Sequence, residues 1–196
     1  MDTLAKLFGS AAKVKLMRLF LFNTDASFSA KDIASRSKVN TREVKREVLT
    51  LMALGMIKKR TIQGKGKGGG VVYTLDTKFP YLQALKNLLI TVSLNADDTL
   101  VKKFSKVGRI KFFLASGVFL QQWDSRVDLL IVGDGINLSG IEKVISGIEA
   151  EIGKEISYSA FETEDFLYRL GIHDRLVRDV LDFPHTALVN RLGIEP

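Results

Sequence analysis

The stretch from Ser29 to Gly55 constrains this chain most, because it carries two helices together with the signals that start and stop them. Ser29 has the character of an N-cap, with Asp32 three residues on. That is a capping-box variant opening a short helix to about Ser35, with Ile33 and Ala34 as its buried side. Ser37 to Asn40 reads as a turn. Asn40 is a second N-cap, with Glu43 as its third helical residue, and the helix it opens runs to about Leu54. Val44, Val48, Leu51 and Met52 mark the buried stripe of that helix, and Gly55 fits the position just past its end.

The elements around this pair follow from periodicity. Leu4 to Phe22 reads as one helix, with Leu4, Leu7, Phe8, Ala11, Ala12, Leu16, Leu19 and Phe20 at 3.6-residue spacing and Lys15 as the one break. Met56 to Ile62 and Val71 to Leu75 read as strands. The Gly-rich segment from Gln63 to Gly70, with Lys65 and Lys67, joins them as a hairpin tip. Asp76 to Pro80 is a turn and a predicted domain boundary. Beyond it, Tyr81 to Ser93 and Asp97 to Lys106 read as helices. Ile110 to Ala115 and Val127 to Val132 read as strands buried on both faces. Ser139 to Ile152 is a predicted helix and Ile156 to Phe161 a strand. Thr163 to Leu170 and Asp174 to Leu181 close the chain as helices, so the second half is expected to hold roughly three strands.

Charge divides the chain in the same way. Residues 1–80 hold 16 Lys and Arg against 6 Asp and Glu, a balance of +10; residues 81–196 hold 13 against 16, or −3. The whole basic excess therefore sits with the first unit, which points that unit toward a polyanion. If Val44, Val48, Leu51 and Met52 face the core, then Thr41, Arg42, Lys45, Arg46 and Leu49 face solvent. Lys31, Arg36 and Lys38 flank that surface, and Lys65 and Lys67 ride on the glycine tip. Gly64 to Gly70 is not a phosphate-cradling P-loop: Gly68 follows Lys67 where Ser or Thr is required, and a strand rather than a helix comes next.

Other chemistries have little material. The chain has no Cys, hence no disulfide, thiolate zinc site or cysteine nucleophile. His173 and His185 lack metal-ligand spacing. The longest charge-free run, Phe112 to Trp123, is 12 residues and too short to span a bilayer. The start lacks a secretory pattern, so a cytoplasmic location with no membrane association and no cofactor is expected.

The order helix, helix-turn-helix, hairpin over about residues 3–76 resembles the winged helix-turn-helix fold of prokaryotic transcription regulators. Leu7-Phe8-Gly9-Ser10 with Lys13 to Leu21, and the phrase from Ser29 to Gly55, carry the likeness. It implies double-stranded DNA as partner, with the second helix of the pair presenting its first residues to base edges. The expected DNA-binding residues are Lys31, Lys38, Asn40, Thr41, Arg42, Lys45, Arg46, Lys65 and Lys67. Such proteins commonly bind as dimers to two half-sites, so a homodimer is expected.

The segment from Ile110 to Val132 looks like a minimal nucleotidyltransferase-like domain of the polymerase-β type, over about residues 95–170. In that family a strand leads to a Gly-Ser turn, and the next strand opens on an Asp-x-Asp pair that holds Mg²⁺; a third carboxylate stands on a neighbouring strand. Here Asp128 takes the second place of the pair, Arg126 the first, the turn reads Ser116-Gly117, and Ser157 and Ser159 stand where the third carboxylate belongs. The resemblance thus implies the fold without the chemistry. Asp128 is expected to make a local hydrogen bond or an Arg pair rather than to join Asp124 and Asp134 at a metal.

The expectation is an α+β protein: a winged helix-turn-helix domain over 1–78, then a small α/β nucleotidyltransferase-like domain over 79–196 with residues 79–95 as a linking helix. Its expected role is a DNA-binding transcription regulator and not an enzyme, with the second domain positioning, dimerising or sensing. The alternatives are a nucleotidyltransferase that uses the first domain to hold its substrate, and an interaction module. Lys and Arg without aromatics on the proposed face argue against the last.

Overall fold

The computed structural model describes residues 3–62, 70–91, 97–122 and 125–194. With 50% helix and 23% strand in two small sheets, the protein is mixed α+β. It divides into two compact units, residues 1–93 with 148–154, and residues 94–147 with 155–196. Residues 79–93, read from sequence as the head of the second domain, thus group with the first unit.

In the first unit, α1 (Thr3–Leu7) and α2 (Ala11–Phe22) replace the single predicted helix. Gly9 at φ +72° breaks the chain, and Ser10 restarts it as an N-cap whose hydroxyl accepts from the Lys13 N–H at 3.1 Å. Leu7, predicted to be buried, is 68% exposed because its helix ends there. α2 is buried on more sides than one stripe: Val14, Leu16, Met17, Leu19, Phe20 and Leu21 are all inside. Arg18 is inside too, donating from Nε to the Leu89 carbonyl and from Nη1 to the Glu151 carbonyl, each at 3.1 Å.

β1 (Ser27–Phe28) then leads into α3 (Ala30–Ser37) and α4 (Thr41–Ala53). Both predicted caps form. Ser29 and Asp32 exchange side-chain and backbone bonds as a capping box, and Asn40 Oδ1 accepts from the Glu43 N–H at 2.9 Å. Gly55 follows α4 at φ +74°. The predicted hairpin is β2 (Ile57–Ile62) and β3 (Gly70–Leu75), antiparallel from Ile57↔Leu75 to Ile62↔Gly70. β1 joins β3 on its other side, giving the order β1-β3-β2. Ile33, Val44, Leu51, Met56 and Ile57 close the core, and Phe20 meets Phe28 edge-on at 5.7 Å. The predicted helix from Tyr81 is instead α5 (Leu82–Lys86) running into a π-helical turn over Asn87–Thr91; Leu89 is buried there.

In the second unit, α6 (Asp97–Lys103) precedes β4 (Arg109–Ser116). A 3₁₀ turn over Gly117–Leu120 leads on to β5 (Leu129–Asp134). α7 (Leu138–Ile152) carries the chain to β6 (Tyr158–Glu162), which pairs with β5 in parallel, a pairing that requires such a crossover. α8 (Thr163–Gly171), α9 (Arg175–Asp182) and β7 (His185–Asn190) follow. β7 was not among the three expected strands. It pairs antiparallel with β4, so the sheet runs β6-β5-β4-β7. Phe112, Leu114, Leu130 and Val132 pack against Phe166 of α8 and Val177 and Val180 of α9, as strands buried on both faces require. Among the described residues, no helix is long and apolar enough to cross a membrane.

Candidate nucleic-acid interface

The candidate surface is built on α4, whose start is fixed by the Asn40 cap. Its register puts Val44, Glu47, Val48 and Leu51 inside and Thr41, Arg42, Lys45, Arg46 and Leu49 outside. Met52, predicted to be buried, is half-buried, and the acid Glu47 lies deeper than it does. Arg42, Lys45, Arg46 and Leu49 stand at i, i+3, i+4 and i+7, so they share one face, with neighbouring Cβ atoms about 5–6 Å apart.

The cations on this face are not alike. The side chains of Arg42 and Lys45 make no ion pair or hydrogen bond among the described residues. Arg46 donates to Glu47 Oε1 from Nε at 3.2 Å and from Nη2 at 2.9 Å. Asn40 is exposed, but both ends of its amide are engaged with Glu43, the oxygen accepting from its N–H and the amide nitrogen donating to its carboxylate. Lys31 is exposed on α3, and Lys38 is exposed just past its end in the left-handed conformation, φ 53°. Arg36 lies over the Phe28 ring, 5.4 Å from its centre. Asp32 is held below its ordinary acidity range, chiefly by the Ser29 hydroxyl. Lys65 and Lys67 lie outside the described residues.

Sequence reading missed two cations and one anion. Lys59 and Arg60 are exposed on β2 of the hairpin and make no ion pair among the described residues, whereas Lys58 pairs with Asp76 at 2.8 Å. The run Lys58-Lys59-Arg60 was itself the signal. Glu47 is the anion, 3% exposed; nothing in the spacing of α4 separates it from an ordinary surface Glu.

In the second unit, Asp128 is buried, and each of its oxygens accepts a backbone N–H. Oδ1 accepts from the Val118 N–H at 2.7 Å and Oδ2 from the Ser157 N–H at 2.8 Å. It ties the turn after β4 to the entry of β6. Arg126 turns to Asp179 at 2.6 Å, beside a surface cavity of about 160 Å³ lined also by Ser125, Val127, Val180 and Phe183. Asp134 bonds Lys111 at 2.8 Å and accepts from the Thr163 hydroxyl at 2.6 Å. These bonds, that from Lys111 above all, hold its carboxyl below the ordinary range. Asp124 lies outside the described residues. Among the described residues, no group of three His, Cys, Asp or Glu is placed to hold a metal ion.

Comparison with protein-family models, with curated proteins and with solved structures finds no match to this chain.

Proposed function

We propose that the first unit is a winged helix-turn-helix domain that binds double-stranded DNA, and that the protein is a transcription regulator. One observation carries the reading: Arg42 and Lys45 stand exposed, and unpaired among the described residues, on one face of a capped helix whose opposite face is core. A helix held in that way is the element that enters a major groove, with its first two turns toward the bases. Arg42 and Arg46 are the base-facing cations, and Lys45, Lys31 and Lys38 contact phosphates. The hairpin is the wing; Lys59 and Arg60 on β2 follow the sugar-phosphate backbone, and Lys65 and Lys67, which lie between β2 and β3 in sequence, are proposed to join them.

The second unit is a nucleotidyltransferase-like domain that positions or pairs the DNA-binding units rather than transferring nucleotides. Support comes from Asp128, whose two oxygens already accept backbone N–H groups, and from Arg126, a cation at the neighbouring position.

The test is fluorescence anisotropy of a labelled 24-base-pair random duplex across a salt series. Four to six neutralised phosphates give a slope of log K against log salt of about −4 to −5. An affinity indifferent to salt refutes the proposal. Site selection from a random pool reports the oligomer as well, because a palindromic consensus requires a dimer.

A further inference from the structure

Glu47 is the one acid in the buried face of α4, at a position where a leucine would serve the core. A buried ion pair is weak support for stability, and an apolar residue of similar volume commonly does as well. The carboxylate's surroundings account for it differently. Oε1 accepts from the Ser10 hydroxyl at 2.9 Å, and Oε2 lies 4.0 Å from Lys13 Nζ. Both anchors belong to the start of α2, so the carboxylate is fixed from behind by another helix. Its remaining partner is Arg46, whose side chain is 64% exposed.

We propose that Glu47 is a positioning residue for DNA recognition: it clamps the Arg46 guanidinium so that its outer edge is presented, pre-ordered, to a guanine. The inference rests on the DNA-binding reading above and deepens it. A guanidinium carries five N–H donors. The bonds from Nε and Nη2 to Oε1 consume two of them. Three remain: one on Nη2 and one on Nη1 lie parallel along the end edge of the group, and the second on Nη1 points back toward Cδ. Two parallel donors on that edge match the O6 and N7 acceptors that guanine shows in the major groove. Among the described residues Arg42 and Lys45 have no such clamp, so they must be ordered on binding, which costs side-chain entropy. Arg46 is therefore the stronger discriminator of the two base-facing arginines, and Lys45 contributes mainly attraction to phosphate.

The experiment compares the full-length wild type with Glu47→Met, which keeps bulk but removes the acceptor, and with Arg46→Lys, an exposed change that keeps the charge. Each is used to select sites from a random duplex pool. Each is then titrated by anisotropy with the wild-type consensus duplex and with duplexes in which single G·C pairs are changed to A·T. Wild type is expected to lose about tenfold or more in affinity at one guanine, the scale of a bidentate Arg contact, and both variants less than about threefold there. Affinity for random duplex should hold or rise in Glu47→Met, which has one negative charge fewer. A merely structural role for Glu47 lowers both affinities together and overturns the inference. So does full guanine discrimination in Arg46→Lys, which decides the matter if Glu47→Met does not fold. Wild type that binds no duplex in a salt-dependent way sinks the DNA-binding reading itself, a distinct result.

Discussion

Asp128 allows the sharpest prediction about the second unit. Asp128→Ala strips the acceptor from the Val118 N–H, in a fully buried residue, and from the Ser157 N–H, which lies nearer the surface. An orphaned buried donor costs about 1–3 kcal/mol, and one that water can reach costs less, so the loss is about 2–4 kcal/mol. Asp128→Asn keeps one acceptor for Val118 and turns an amide NH₂ toward Ser157, which halves the loss to about 1–2 kcal/mol. The site also contains its own control. Gly117 sits at φ +53°, and a Cβ there would collide with Asp128 Oδ1. Gly117→Ala is therefore costly in the wild type and less so once Asp128 is Ala, a coupling that a double-mutant cycle measures. The assay is urea unfolding followed by the fluorescence of Trp123, the chain's single tryptophan. A cost below about 1 kcal/mol for Asp128→Ala refutes the argument, because two lost charge-assisted bonds must exceed it. So does a variant that folds normally yet loses an Mg²⁺-dependent nucleotide transfer.

Three further expectations concern binding, packing and acid. Arg42→Ala and Lys45→Ala should each flatten the salt slope by about one, with Arg42→Ala also relaxing site selectivity, as measured by anisotropy on selected and random duplexes. Arg42→Ala should weaken selected-site binding more than Lys65→Ala does. Gly153→Ala should destabilise by about 2–4 kcal/mol in urea unfolding, since the residue adopts φ +85° and its Cβ would come within 2.5 Å of the Leu19 backbone nitrogen. Asp32, Asp76 and Asp134 are all held below their ordinary value of 3.8, chiefly by hydrogen bonds from Ser29, Lys58 and Lys111 respectively. Their folded values being lowered, their contribution is complete above the unfolded value and drains away as pH falls through the folded ones. The melting temperature should therefore drop with acid below about pH 4, and Lys111→Met should make that drop shallower.

What could be read from the sequence was what is decided within a turn or two of chain. Ser29 with Asp32 and Asn40 with Glu43 form caps from residues three apart, and the structure has both. Gly9-Ser10 is an equally local break, but the apolar spacing of Leu4, Leu7, Phe8 and Ala11 runs through it and hides it. β1 and β7 exist only through partners. Two residues, Ser27 and Phe28, carry no period at all. His185–Asn190 is an edge strand of half-buried and exposed residues, assigned by its pairing to β4, 69 to 78 positions earlier. The split of the predicted helix at Asn87 is likewise a matter of what Leu89 packs against rather than of its own spacing.

The interface follows the same division, and the division has a consequence for specificity. Helical period alone sends Arg42, Lys45 and Arg46 outward, so the cationic face was legible once Val44, Val48 and Leu51 were placed inside. Period cannot say which of three outward cations is held. That is settled by Ser10 and Lys13, 37 and 34 positions before Glu47, meeting its carboxylate across the packing of α2 on α4. A free cation on a long side chain is attracted to any phosphate and distinguishes sequences poorly. A cation whose orientation is fixed before the encounter can reward one base and penalise the others. On the DNA-binding proposal, discrimination between sites turns on the tertiary contact that sequence spacing does not encode, while the charge that spacing does encode supplies general affinity.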